Sequence, residues 1–168
     1  MQKNLIPLSP GGLFHVYGRT NGREKLFREE ANYHYFLKLY QKYIHPWAIT
    51  YSYCLMPNHY HFLIHIKDEE ELILYFNHKH PSGLLSKQFS HLFNSYAKAY
   101  NKRFLRSGSL FERPFKRKRV EDEVYLKRLV HYIHFNPVQA GLSQTPESYK
   151  YSSYRAICSR NKSSHIDR

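Results

Sequence analysis

Two hydrophobic periods divide the chain. Residues 13–20, LFHVYGRT, alternate as a half-buried strand does, and the NGR that follows is a turn signal. From residue 29 to 44 apolar side chains recur at Tyr33, Phe36, Leu37, Tyr40 and Ile44, a helical spacing that Pro46 ends. Residues 48–55, AITYSYCL, are rich in β-branched and aromatic types and predict a strand. MPNH then turns the chain into a second strand over 60–66, hairpin-paired with the first. The stretch 67–81 is polar and holds a short helical piece around 70–76. A long helix over 82–103 carries Leu85, Phe89, Leu92, Phe93, Tyr96 and Tyr100 on one stripe. RSGS at 106–109 breaks the chain, and FKRKRV at 115–120 predicts a short basic strand. A last helix spans 121–135, with acids in its first turn, and the Asn and Pro of FNPVQAGL end it.

The order is β-α-β-β-α-β with one further helix. It predicts an α+β fold, a ferredoxin-like or RRM-like antiparallel sheet with two helices on one face. The additional C-terminal helix is then expected near the open sheet face, where strand-borne functional residues would point. We expect an N-terminal segment at 1–12, a single domain at 13–154 and a basic flexible tail at 155–168.

Composition adds a partner. The 168 residues include 26 Lys and Arg against 13 Asp and Glu, a formal net charge of +13. Between residues 98 and 128 eleven basic residues face four acids, a surplus of +7. Such a field favours a polyanion, most commonly nucleic acid. Sixteen Tyr and eleven Phe, many interleaved with the basic residues as in LFERPFKRKRV, suit base stacking beside phosphate neutralisation. From composition, Arg113, Lys116, Arg117, Lys118 and Arg119 are candidates to grip phosphates, with Phe111 and Phe115 to stack on bases. The two cysteines, Cys54 and Cys158, form no disulfide framework. With no apolar run of about 20 residues and no secretory-type start, we expect no membrane span and a cytoplasmic location.

The candidate chemistry sits in MPNHYHFLIHI, residues 56–66. Strand residues two apart share a face, so His59, His61 and His65 lie together while Tyr60, Phe62 and Ile64 fill the other side. Two imidazoles at this spacing can reach one metal ion. A half-buried strand whose histidines simply bond to neighbours shows the same pattern. His78 and His80 repeat the spacing, but in a polar loop that suggests solvated surface residues. On the last helix Tyr132 and Asn136 are four apart and share a face. If that helix covers the histidine face, a phenol and a carboxamide arrive beside the metal.

CLMPNHYHFLI, SGSLFERPFKRKRVEDEVYL and VHYIHFNPVQAGL, in this order and spacing, resemble the REP-associated tyrosine transposases, a branch of the single-tyrosine HUH transposases of bacterial insertion sequences. The resemblance covers about residues 14–154. It implies cleavage and rejoining of single-stranded DNA near hairpins through a 5′-phosphotyrosine bond, with Mg²⁺ or Mn²⁺ and no nucleotide cofactor. By position it implies a bacterial, nucleoid-associated protein with His59, His61 and Asn136 as metal ligands and Tyr132 as nucleophile. Tyr125, seven residues earlier on nearly the same helical face, is the reserve nucleophile. Tyr60 stands where relatives carry a bulky aliphatic residue. Monomer and homodimer, and hence action of Tyr132 in its own or a neighbouring chain, both stay open. Three rivals remain: a non-catalytic single-stranded nucleic-acid binder with an RRM-like fold, a metal-dependent hydrolase using water, and a decayed transposase.

Overall fold

The computed structural model describes residues 6–77 and 83–159. Four strands form one antiparallel sheet: β1 (Leu13–Arg19), β2 (Ala48–Met56), β3 (His59–Ile66) and β4 (Lys116–Arg119), in the order β2-β3-β1-β4. Helices α1 (Glu30–Tyr43) and α3 (Leu84–Arg103) pack together on one face. The short α2 (Glu69–Phe76) lies between β3 and α3 in sequence, where the polar stretch suggested a helical piece. The α+β architecture expected from the sequence is present. His78 and His80 lie outside the described residues.

Strand alternation makes two apolar clusters. Toward α1 and α3, Phe14 and Val16 of β1 join Tyr60, Phe62, Ile64 and Ile66 of β3 and the stripe Leu85, Phe89, Leu92, Phe93, Tyr96 and Tyr100 of α3. Every residue expected on that stripe is buried. Two helix tyrosines are also anchored: Tyr96 Oη donates to the Leu26 carbonyl at 2.6 Å and Tyr100 Oη to that of Lys25 at 2.5 Å. On the opposite face Cys54, Met56, Leu63, Val120, Leu129, Ile133 and Tyr149 make a smaller cluster. That cluster lies under α4 (Glu123–Gln139), which crosses β2 and β3.

α4 differs from the expectation in one respect that matters. It begins at Glu123 rather than 121, with Asp122 as its cap, the carboxylate accepting from the Val124 and Tyr125 N–H groups. It does not stop at Phe135. Pro137 sits inside the helix, buried, and the ladder resumes with Ala140 N–H donating to the Asn136 carbonyl at 3.0 Å. Proline removes one helical bond at a cost of about 3 kcal/mol, which the burial of Ile133, His134, Asn136 and Pro137 offsets. The helix ends instead near Gly141, whose φ of 68° is the left-handed conformation that favours glycine. Asn136 therefore keeps helical geometry, one turn beyond Tyr132.

Residues 149–153 complete the edge of β2. Leu55 N–H donates to the Tyr151 carbonyl (2.9 Å), Ser153 N–H to that of Tyr53 (3.0 Å), and Tyr149 Oη to that of Leu55 (2.7 Å). Tyr151 stacks on Tyr33 at 3.5 Å between centroids. Nothing in the hydrophobic pattern announced this edge cover. A short helix α5 (Tyr154–Cys158) follows, so regular backbone continues past residue 154. Among the described residues no helix is long and apolar enough to cross a membrane.

Candidate active site

The alternation of β3 puts His59 and His61 on the α4 face, with Tyr60 in the main core between them. Tyr60 fits because its register partner on β1 is Gly18: a Cβ there would lie 2.5 Å from the Tyr60 hydroxyl oxygen. The aromatic residue in the aliphatic position thus turns away from the histidines and is accommodated by one missing side chain.

Asn136 joins the two imidazoles. Its Oδ1 lies 3.3 Å from His59 Nε2 and its Nδ2 3.3 Å from His61 Nε2. The edge of the Tyr132 ring meets His61, with centroids 5.4 Å apart and planes at 82°. Tyr132 is 40% exposed, so its phenol stands at the edge of the site rather than in the core. Tyr125 does not compete for this place. Its ring packs on the smaller apolar cluster, with Lys118 Nζ 4.3 Å from the ring centre.

Two further side chains orient the histidines. His15 Nε2 lies 2.9 Å from His61 Nδ1, in a buried contact. With the Asn136 amide donating to His61 Nε2, the His61 proton resides on Nδ1 and is donated to His15. Asn58 Oδ1 likewise lies 2.7 Å from His59 Nδ1. Both Nε2 atoms are aimed at the Asn136 amide. His59 Nε2 lies within hydrogen-bond distance of the Asn136 oxygen, and His61 Nε2 of the Asn136 amide nitrogen. Burial favours the neutral form a ligand needs: it lowers the His59 pKa, and lowers that of His61 to about 3, with His15 and His59 adding to the effect. Two imidazoles and a carboxamide oxygen leave room for water and phosphate oxygens around an ion. Among the described residues no cluster of three or more His, Cys, Asp or Glu takes metal-binding geometry.

Beside this cluster lies a cavity of about 320 Å³, walled by Tyr17, Arg19, His59, His61, Glu112, Lys116 and Tyr132. Tyr17, Glu112, Pro114 and Lys116 also wall a larger space of about 710 Å³, which reaches Phe111, Arg113 and Arg117. A groove therefore leads from the histidines along the start of β4.

The candidate phosphate-binding residues divide by strand alternation. Lys116 faces the cavity, and Lys118 lies over Tyr125. Arg117 turns to the opposite face, where its Nη1 donates to Ser86 Oγ at 2.9 Å and its guanidinium lies over Phe115. Arg119 pairs with Glu121 (3.3 Å), and Arg113 Nη2 donates to Asn94 Oδ1 (2.7 Å). Lys116, Arg113 and Arg117 nonetheless all border the larger space. Phe111 is 6% exposed, packed on Phe93 and Tyr96, and walls the larger space. Phe115 packs likewise against Phe89 and Phe93. His65, at the far end of β3, takes no part in the cavity.

Sequence reasoning missed His15, Tyr17, Arg19, Asn58 and Glu112. The alternation of residues 13–20 already put His15, Tyr17 and Arg19 on one strand face. Only the register, which sets Tyr17 opposite His61 and Arg19 opposite His59, shows which face that is.

No family model matches the chain. Over 107 residues, 62% of its length, it is 24% identical to a Haemophilus influenzae protein assigned to the REP-associated tyrosine transposases, and the match spans 58% of that protein. A solved REP-associated tyrosine transposase bound to a REP hairpin aligns over 100% of this chain and 92% of its own, with a TM-score of 0.71 at 13% identity. The fold is shared with that structure. The relative found at 24% identity carries the name of the family that the three sequence motifs resemble, and the solved structure shares the fold.

Proposed function

We propose that this protein cuts and rejoins single-stranded DNA near hairpins by transesterification, with Tyr132 as the nucleophile. The observation that carries the reading is the meeting of Tyr132, His59 and His61, from a helix and a strand far apart in sequence, at one cavity with a basic approach, with Asn136 bridging the two imidazoles. The likeness to REP-associated tyrosine transposases supports it, as does the hairpin bound by the solved relative.

In this reading His59, His61 and Asn136 would hold a divalent cation, Mg²⁺ or Mn²⁺. Such an ion supplies positive charge to the phosphate oxygens as negative charge builds on them. The remaining work belongs to the chain. Lys116 and the net charge of +13 draw the backbone into the groove. Asn58 and His15 hold the two rings at Nδ1, so that each Nε2 faces Asn136. Helix α4 fixes the Tyr132 ring against His61, a placement that replaces an intermolecular encounter. Attack of the Tyr132 oxygen on phosphorus forms the phosphotyrosine bond on the 5′ side and breaks the bond to the 3′ oxygen. That oxygen leaves as a 3′-OH, and the proton lost by the phenol balances the one it gains. Because one phosphodiester replaces another, a 3′-OH can reverse the step without a nucleotide cofactor.

The RNA-binder alternative relies on an open stacking sheet, and here α4 covers β2 and β3. The test is a denaturing gel of protein with labelled hairpin-bearing single-stranded DNA, with and without Mn²⁺. Wild type is expected to form a covalent adduct that Tyr132→Phe lacks while still binding the DNA. Free 5′-phosphate without an adduct would identify a water-using hydrolase, and no cutting at all would leave a binder or a decayed enzyme.

A further inference from the structure

The wall opposite the Tyr132 ring carries an ion pair with no part yet in the chemistry. Arg19 ends β1 and is the register partner of His59. Its Nε donates to Glu112 Oε1 at 2.7 Å, and its carbonyl accepts from the Glu112 N–H at 3.0 Å. The neighbouring Thr20 and Phe111 also pair, and Asn21 N–H donates to the Leu110 carbonyl. Glu112 is therefore fastened to the strand end by backbone on both sides of its side-chain bond. Both side chains line the 320 Å³ cavity with His59, His61 and Tyr132.

Stability does not account for this pair. The Arg19 side chain is 66% exposed, and exposed ion pairs contribute about 0–1 kcal/mol. An acid in a groove meant for a polyanion also carries an electrostatic cost, unless it serves a cation there. The geometry supplies that service. Glu112 occupies Nε alone, and among the described residues no hydrogen bond engages the two terminal nitrogens of Arg19. A guanidinium held at one edge presents its other N–H groups as a fork, which matches two phosphate oxygens.

We propose that Arg19 is a catalytic residue that grips the non-bridging oxygens of the scissile phosphate, and that Glu112 is the positioning residue that aims it. The inference rests on the strand-transfer reading above. It adds a second source of positive charge, supplied by the protein, on the β1 side of the phosphate.

The test is single-turnover cleavage of labelled hairpin DNA at saturating protein with Mn²⁺. Arg19→Ala is expected to slow adduct formation about 100-fold, the loss typical of one preorganised charge-stabilising group, with hairpin affinity within about threefold of wild type. Methylguanidinium in the buffer is expected to restore part of the Arg19→Ala rate, which a merely structural role would not allow. Glu112→Gln should cost about tenfold, and the double variant should be no slower than Arg19→Ala alone, since Glu112 acts through Arg19. Unchanged melting temperatures keep folding out of the comparison. Arg19→Ala cutting at the wild-type rate, or losing affinity only, would overturn the proposal while leaving the tyrosine chemistry intact. Wild type forming no adduct would remove both.

Discussion

The two faces of β3 are built from alternate residues of one eight-residue strand, yet they follow opposite rules. Toward α1 and α3, Tyr60, Phe62, Ile64 and Ile66 are each 1% exposed or less, and rings stack on rings. Toward α4, His59 and His61 bond to Asn58, His15 and Asn136. The first face is closed by apolar packing and tolerates no cavity. The second is closed only over β2 and β3, leaving the cavity at β1. One strand can thus stay rigid through one face while the other presents ligands, which is what a site needing sub-ångström placement requires. If this division is real, chemistry and stability should separate by face. The largest effect expected is on Tyr132→Phe. It should abolish the covalent adduct, a loss beyond about 10³-fold or 4 kcal/mol, while a denaturant melt overlays wild type because only the hydroxyl of a 40%-exposed ring is removed. A large drop in stability would mean that the α4 face is structural like its opposite.

The converse substitution sharpens the same contrast. Phe62 is 1% exposed and stacks on Tyr40 at 4.3 Å between centroids. Phe62→Ala should cost about 3–5 kcal/mol in urea unfolding, from lost transfer free energy plus the cavity left behind. Whatever fraction remains folded should cut DNA at the wild-type rate per folded molecule. Loss of cutting in fully folded protein would show that the main core tunes the histidines directly.

The faces also differ in how far the sequence revealed them. The stripe on α3 and the alternation of β3 were legible because burial imposes a period, and each expected core residue of α3 is in place. The histidine pair and the Tyr132–Asn136 spacing were legible for the same reason. What escaped were relations set by register and by tertiary override. His15 had no partner in its own segment, and Glu112 reads as one acid in a basic run until the strand end brings Arg19 to it. By a local rule Pro137 predicts a helix stop, and that rule cannot see the burial that outweighs it. Phe111 and Phe115 carry the composition of stacking residues, and only the structure shows Phe111 buried and Phe115 half-buried against the core.

His15 offers a prediction of intermediate size. His15→Phe should keep much of its stacking on Tyr17, now 4.5 Å between centroids, while removing the acceptor for His61 Nδ1–H. The His61 proton is then free to move to Nε2, the atom facing Asn136. By analogy with outer-shell partners of metal-bound histidines, cutting should fall about 10–100-fold and the Mn²⁺ concentration for half-maximal activity should rise by a similar factor. An unchanged Mn²⁺ requirement would show that Asn136 alone fixes the His61 proton.

The smallest effect concerns pH and again separates the faces. Burial lowers the pKa of His15 to about 4, with Lys118 adding to it, and that of His134 to about 4, with its Val130 backbone bond opposing and His131 adding. Unfolded, each titrates near the ordinary value of about 6.5. Between those values the unfolded chain binds more protons than the folded one, so protonation pulls toward unfolding. Stability is flat above pH 7 and is lost as pH falls from 6.5 toward 4. Between pH 7 and 5.5 each histidine should cost roughly 1 kcal/mol in metal-free protein. The aromatic face gives no such slope, because Tyr40 is pushed well above its usual pKa by burial and stays neutral throughout this range. Urea midpoints measured with EDTA at pH 7.5, 6.5 and 5.5 test this, and a variant with His134→Phe should shallow the fall. A midpoint constant down to pH 5 would mean that His15 and His134 accept protons without leaving their partners, which would undo the argument that burial keeps the imidazoles of the α4 face neutral.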